Sequence, residues 1–156
     1  MELPQLSGGV DGKHISMKKP PHAGSYYYNY KGFHSIILKA VLDATYKFLY
    51  VDVGAEGGAL DGGTWSNCSL NDAVEETRAG VPQPEPLPND DQAVLYHLVV
   101  DDAFAFRTWM MKPLFQWSQV LREHICSYRL SHARRVVENA FGILCQRSRC
   151  FMTMMH

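Results

Sequence analysis

Apolar residues in this chain gather in short runs of strand length, separated by glycine- and proline-rich stretches. That punctuation predicts a mixed α/β protein. Gly8 to Ile15 reads as a short strand ending at a polar turn. Lys18-Lys19-Pro20-Pro21-His22-Ala23-Gly24 is a loop, because consecutive prolines have no N–H for a ladder and break helices. Phe33 to Leu42 is a strand, Asp43-Ala44-Thr45 a turn, and Tyr46 to Val53 a second strand. Two β-rich runs joined by three turn-forming residues predict an antiparallel hairpin. In its second strand Leu49, Val51 and Val53 share one face and Phe48, Tyr50 and Asp52 the other, the pattern of a half-buried strand.

The middle of the chain is less regular. Gly54 to Gly63 holds five glycines and predicts a tight loop. A helix is expected to start near Asp61, where a carboxylate suits the first turn, and to run through Trp65, Cys68 and Leu70 to about Glu76. Gly80 to Pro88, with proline at every second position from Pro82, is expected to be an exposed connection. Val94 to Val100 is continuously apolar, as expected of a central strand covered on both faces. The last large element is expected from Ser127, as N-cap, to about Arg147. On it Leu130, Ala133, Val137, Ala140, Phe141 and Leu144 form one apolar stripe, with Glu138 at its edge and Arg134 one turn earlier.

Composition narrows the class. A chain of 156 residues is long enough for one domain with a proper core, and 46% hydrophobic content with 12% aromatics argues against disorder. No apolar run reaches the roughly 18 residues that suggest a membrane span. The start, Met1-Glu2-Leu3-Pro4-Gln5-Leu6, lacks the basic and apolar regions of a signal peptide. Cys68, Cys126, Cys145 and Cys150 form no CxxC pair, so free thiols in a reducing compartment, cytosol or nucleus, are expected. The net charge of −1 hides an uneven distribution: residues 55–102 carry ten acidic groups against Arg78 alone, while both flanking segments are basic. An acidic middle between basic flanks fits a metal site among phosphate-contacting surfaces.

The candidate chemistry lies in four separated carboxylates. Asp11 opens Asp11-Gly12-Lys13-His14, Asp61 opens Asp61-Gly62-Gly63, Asp101 ends the apolar run, and Glu138 lies on the basic late helix. Such hard oxygen donors, at strand ends and helix starts, can cage a divalent cation such as Mg²⁺. Glu138 also has a purely structural reading as the i, i+4 partner of Arg134. Other chemistries lack support. His14, His22, His34 and His97 match no compact zinc spacing, no Gly-x-Ser-x-Gly elbow occurs, and the glycine-rich loop lacks a Gly-Lys-Ser/Thr ending. Tyr26-Tyr27-Tyr28-Asn29-Tyr30-Lys31 interleaves aromatics with a base. Packing against the hairpin is its commoner use, and stacking on unpaired bases is the other.

Five blocks occur in one order: Val10 to Ile15, Tyr28 to Ser35, Gly57 to Trp65, Asp101-Asp102-Ala103-Phe104, and Ser131 to Gly142. Together, over about residues 9–150, they resemble the DDE superfamily endonuclease domain of Harbinger-type transposases and their domesticated relatives. The resemblance implies an RNase H-like α/β fold, a mixed sheet with flanking helices. It also implies a metal-dependent nuclease site with Asp11, Asp61, Asp101 and Glu138 as ligands of Mg²⁺ or Mn²⁺, and Asp11, Asp101 and Glu138 as its catalytic core. Two ions would be bridged by Asp101, and DNA phosphodiesters would be hydrolysed. Lys13, Arg134 and Arg135 are the candidate phosphate contacts. Asp102 competes with Asp101, but the Asp-x-Ala-Phe register favours Asp101.

Val100 and Leu60 depart from the usual glycine and small polar residue before their aspartates, and either could crowd the backbone near a cation. Only about ten residues precede the Asp-Gly-Lys-His strand, where family members carry a DNA-binding region, so a truncated copy is expected. DNA as partner, a Myb-like companion protein and a nuclear location follow from the resemblance, with the cytoplasm also open. The alternative is a catalytically inert relative that binds DNA or a protein as a scaffold.

Overall fold

Three consecutive strands near the start of the chain build the framework. A computed structural model describes residues 6–59, 68–76, 82–87, 89–113 and 121–152. In chain order the elements are β1 (Leu6–Ser16), β2 (Ser35–Leu42), β3 (Phe48–Glu56), α1 (Ser69–Glu75), β4 (Glu85–Pro86), β5 (Ala93–Val94), β6 (His97–Val99), β7 (Met110–Met111) and α2 (Leu121–Arg147). A 3₁₀ turn, Arg149–Phe151, follows α2. β1, β2 and β3 form an antiparallel meander, while β6 and β7 add in parallel on the other side of β1. The sheet is therefore mixed, in the order β3-β2-β1-β6-β7, as expected of a mixed α/β fold.

Because side chains alternate along a strand, the register assigns each face. Gly9, Asp11, Lys13 and Ile15 of β1 lie opposite Leu42, Ala40, Leu38 and Ile36 of β2. On that face Ile15, Leu38, Ala40 and Leu42 pack with Val137, Ala140 and Phe141 of α2. The other face carries Val10, Val41, Leu98, Val100, Phe104 and Met110, packed with Cys68 at the start of α1. Gly9 sets how closely α2 approaches: a Cβ there would stand 2.5 Å from Val137 Cγ2. The expected stripe on α2 is largely observed, with Leu130, Val137, Ala140 and Phe141 buried and Cys145 added to them.

Several expectations change. α2 begins at Leu121, before Ser127, so Ser127 is an interior residue and not an N-cap. The expected central strand over Val94 to Val100 is divided: β5 pairs with β4 in a separate antiparallel ribbon, and the main sheet takes only His97–Val99. Pairing of Glu85–Pro86 with Ala93–Val94 likewise gives a short strand inside the stretch expected to be irregular. β3 starts at Phe48, because the Asp43 carboxylate accepts from Thr45 N, Thr45 Oγ1 and Lys47 N and holds Tyr46 at φ 66° in the turn. It ends beyond Val53, since Gly54, at φ 115°, is the extra residue of a bulge between Val53 and Ala55. The predicted helix start near Asp61 lies outside the described residues.

Candidate carboxylate site

Three separate segments converge on the α2 side of the sheet. Asp11 is on β1 in register with Ala40, on the face that α2 covers. Asp101 follows β6 by two residues and opens a turn in which Phe104 N donates to Asp101 O at 3.2 Å. Arg134 and Glu138 stand one turn apart on α2. The Arg134 guanidinium joins them: Nη1 lies 3.1 Å from Asp101 Oδ1, and Nη2 lies 3.7 Å from Glu138 Oε1. Asp101 Oδ1 also accepts from Asp102 N at 2.7 Å, which fixes the carboxylate.

Asp11 reports the electrostatics of this cluster. Its pKa is pushed up to about 6, first by loss of water around the carboxyl and then by the negative charges of Asp101 and Glu138. The Gly12 amide, 2.8 Å from Asp11 Oδ1, and the Arg134 guanidinium pull the other way without winning. A half-buried carboxylate with two like charges near it has a deficit of positive charge, and Arg134 only partly fills it.

The remaining expected residues separate by role. Asp102 turns away from the cluster, with Lys112 Nζ 3.4 Å from its carboxylate. Lys112 is held there by the Asp102 and Phe104 carbonyls. Asp61 lies outside the described residues. Lys13 sits two residues beyond Asp11 on the same strand face, half-buried, and Arg135 is exposed on α2. Arg134 points at carboxylates, so its place is that of a counter-charge within the site. The i, i+4 spacing to Glu138 signalled half of this arrangement; the Asp101 half depends on β6 lying beside β1.

Asp11, Asp101 and Glu138 are hard oxygen donors, and the site's unmet demand for positive charge fits a divalent cation chemically. Among the described residues, no three His, Cys, Asp or Glu side chains stand at the spacing of one metal site. The arrangement is that of carboxylates gathered about an arginine. His14 Nδ1 and Ser35 Oγ are paired at 2.9 Å, while His34 packs edge-on to Tyr28, so neither histidine joins the cluster.

Comparison with known proteins bears on the same residues. A family model described as DDE superfamily endonuclease matches residues 10–155. The human protein named "Putative nuclease HARBI1" is 29% identical over 152 residues, and its bovine counterpart is 30% identical over 155 residues. The rat counterpart is 27% identical over 152 residues. Each comparison covers 95% of this chain but 38% of the relative, so the chain spans well under half the length of these relatives. No solved structure matches.

Proposed function

We propose that this chain, which belongs to the DDE superfamily endonuclease family, is a nuclease domain that binds a divalent metal through Asp11, Asp101 and Glu138 and acts on DNA phosphodiesters. The observation that carries this reading is the pairing of Asp101 and Glu138 with Arg134 beside Asp11, whose pKa is pushed up to about 6 chiefly by loss of water and further by those two charges. A mixed sheet with β1 at its centre and α2 across one face is compatible with the RNase H-like architecture. Asp61 is proposed as a fourth ligand.

A bound Mg²⁺ or Mn²⁺ would supply an acidified water and stabilise the departing oxygen of the phosphodiester. The chain's own residues do the rest. Asp11 is on β1, Asp101 follows the parallel strand β6 by two residues, and Glu138 is brought to Asp101 through the Arg134 that both contact. With its pKa pushed up to about 6, Asp11 exchanges its proton close to neutral pH, whereas Asp101 and Glu138 pair with Arg134. Lys13, two residues beyond Asp11 on the same strand face, and Arg135, exposed on α2, would meet phosphate oxygens in this reading. DNA and a nuclear location belong to this reading.

One observation favours a second reading, an inert scaffold: the described carboxylates share an arginine and are not drawn up to ligation spacing. Calorimetric titration with Mn²⁺ decides between them. Binding that disappears in Asp101→Ala supports the nuclease domain; equal heats in the two proteins, or none, support the scaffold. On duplexes with and without transposon-like inverted repeats, the chain is expected to nick both weakly or neither. Phosphate contacts give affinity that is indifferent to sequence.

A further inference from the structure

The carboxylate site leaves one conspicuous surface unused. From Gly12 to Leu42 the chain carries five lysines and no Asp or Glu. Lys39 is buried and paired with Asp52 at 2.8 Å, but Lys18, Lys19 and Lys31 are exposed. In the same stretch the rings of Tyr26, Tyr28 and Tyr30 stand out into solvent, at 65%, 51% and 81% exposure. Tyr28 meets His34 edge-on at 5.2 Å, in keeping with the expected packing against the hairpin, yet all three tyrosines keep half or more of their surface in water. Aromatic side chains in water forgo a large hydrophobic gain, so three within five positions call for a ligand that covers them.

The loop that presents them is firmly built. Asn29 is buried: its amide donates to Ser35 Oγ at 2.8 Å, and its Oδ1 accepts from Lys31 N and Phe33 N. The other side is fastened by main chain after β3, where Gly57 N donates to Ser35 O and Gly58 N to Tyr26 O. A Cβ on Gly58 would stand 2.6 Å from that Tyr26 carbonyl, so this closeness requires glycine. The polar anchors point inward and the rings outward.

Tyr30 is steadied by its neighbours. Its ring meets His14 edge-on at 5.7 Å, and Lys31 Nζ lies 5.4 Å from its centroid. His14 follows Asp11 by three residues on β1, so the two side chains leave opposite faces of the sheet.

We propose that Tyr26, Tyr28 and Tyr30 form a stacking platform for unpaired bases of a DNA strand. The inference rests on the nuclease reading for the identity of that strand and adds the state of the DNA: locally single-stranded. Every base offers a π-face, so the platform is tolerant of sequence, and the surrounding lysines meet the backbone. Within a duplex those faces are already stacked on one another.

Fluorescence anisotropy with a labelled oligothymidine and a hairpin duplex, both in EDTA, tests this with the full chain. Tyr30→Ala is expected to weaken oligothymidine binding about 5- to 100-fold, the range measured for loss of one stacked aromatic. Tyr30→Phe keeps the π-face and should stay within about twofold of the parent, as should duplex binding by every variant. Tyr26→Ala provides a second variant at the other end of the platform, with the same loss expected.

Strand affinity indifferent to both alanine changes overturns the proposal. So does equal loss on the duplex, Phe as damaging as Ala, or no strand binding at all. Because EDTA removes the metal, the two readings fail separately. Tyrosine-dependent strand binding without Mn²⁺ heat retains the platform and removes the nuclease. Mn²⁺ heat with tyrosine-indifferent binding does the reverse.

Discussion

Replacing Asp11 with Asn should stabilise the metal-free protein at neutral pH, an unusual result for a residue at the centre of a site. Asn keeps an oxygen for the Gly12 amide and discards the charge that burial, Asp101 and Glu138 oppose. The Asp11 pKa rises from 3.8 to about 6 on folding. At about 1.4 kcal/mol per unit this is a difference on the order of 3 kcal/mol. Its sign follows from proton binding. The folded state holds this proton more tightly than the unfolded chain, so the proton's contribution is complete below about pH 3.8. It is lost as pH rises to about 6.

Urea unfolding in EDTA, followed by tryptophan fluorescence from pH 4 to 8, should therefore show the two proteins nearly equal at the acid end. At pH 7 Asp11→Asn should be ahead by about 2–3 kcal/mol. Mn²⁺ at a hundredfold excess over its dissociation constant should return about 2.7 kcal/mol to the wild type and much less to the variant. Equal stability at pH 7 in EDTA, or a variant that is weaker there, would refute the account of Asp11 as a desolvated, repelled carboxylate.

Arg134→Gln removes the internal counter-charge and is expected to tighten Mn²⁺ binding several-fold in calorimetry; weaker binding would mean that the arginine shapes the site instead. Asp102→Ala should leave Mn²⁺ binding within about twofold, since Asp102 pairs with Lys112 outside the cluster. Gly9→Ala presses a methyl on Val137 and should cost about 1–3 kcal/mol, seen as a lower melting temperature; an unchanged melting point would contradict the close β1–α2 approach. Ser35→Ala strips the Asn29 amide of its acceptor and should cost about 1–3 kcal/mol in urea unfolding, with stability unchanged counting against the loop anchor.

What the sequence made legible was periodic or local. The meander and the apolar stripe of α2 came from side-chain repeats of two and of about three and a half, and both depend only on neighbours in the chain. Local pattern could not say which face of β3 turns inward. Leu49, Val51 and Val53, the aliphatic row, are exposed, because α2 crosses β1 and β2 and meets β3 only where Phe48 touches Phe141. Nor could an unbroken apolar run show that Val94 leaves the sheet to pair with Glu85, a tertiary choice between two ladders. In the site, the position of each carboxylate was legible, but the role of Arg134 was not. From sequence it is a base near the surface of a basic helix. Its pairing with Asp101 exists only once β6 lies parallel to β1 and α2 is drawn down over Gly9.

The arginine gives the site its logic. Three carboxylates from segments far apart in the chain cannot be gathered without a cation, since the repulsion already visible at Asp11 would grow with each approach. Arg134 supplies one positive charge that is always present, so the fold can close before any metal arrives. One charge against three leaves the site electron-rich, which is the condition for attracting a divalent ion. A lysine would meet the charge requirement but not the geometry, because the guanidinium reaches Asp101 with one nitrogen and Glu138 with the other. On the proposed reading, the residue that pairs with two of the site's carboxylates is thus also the one that an incoming metal would have to work against.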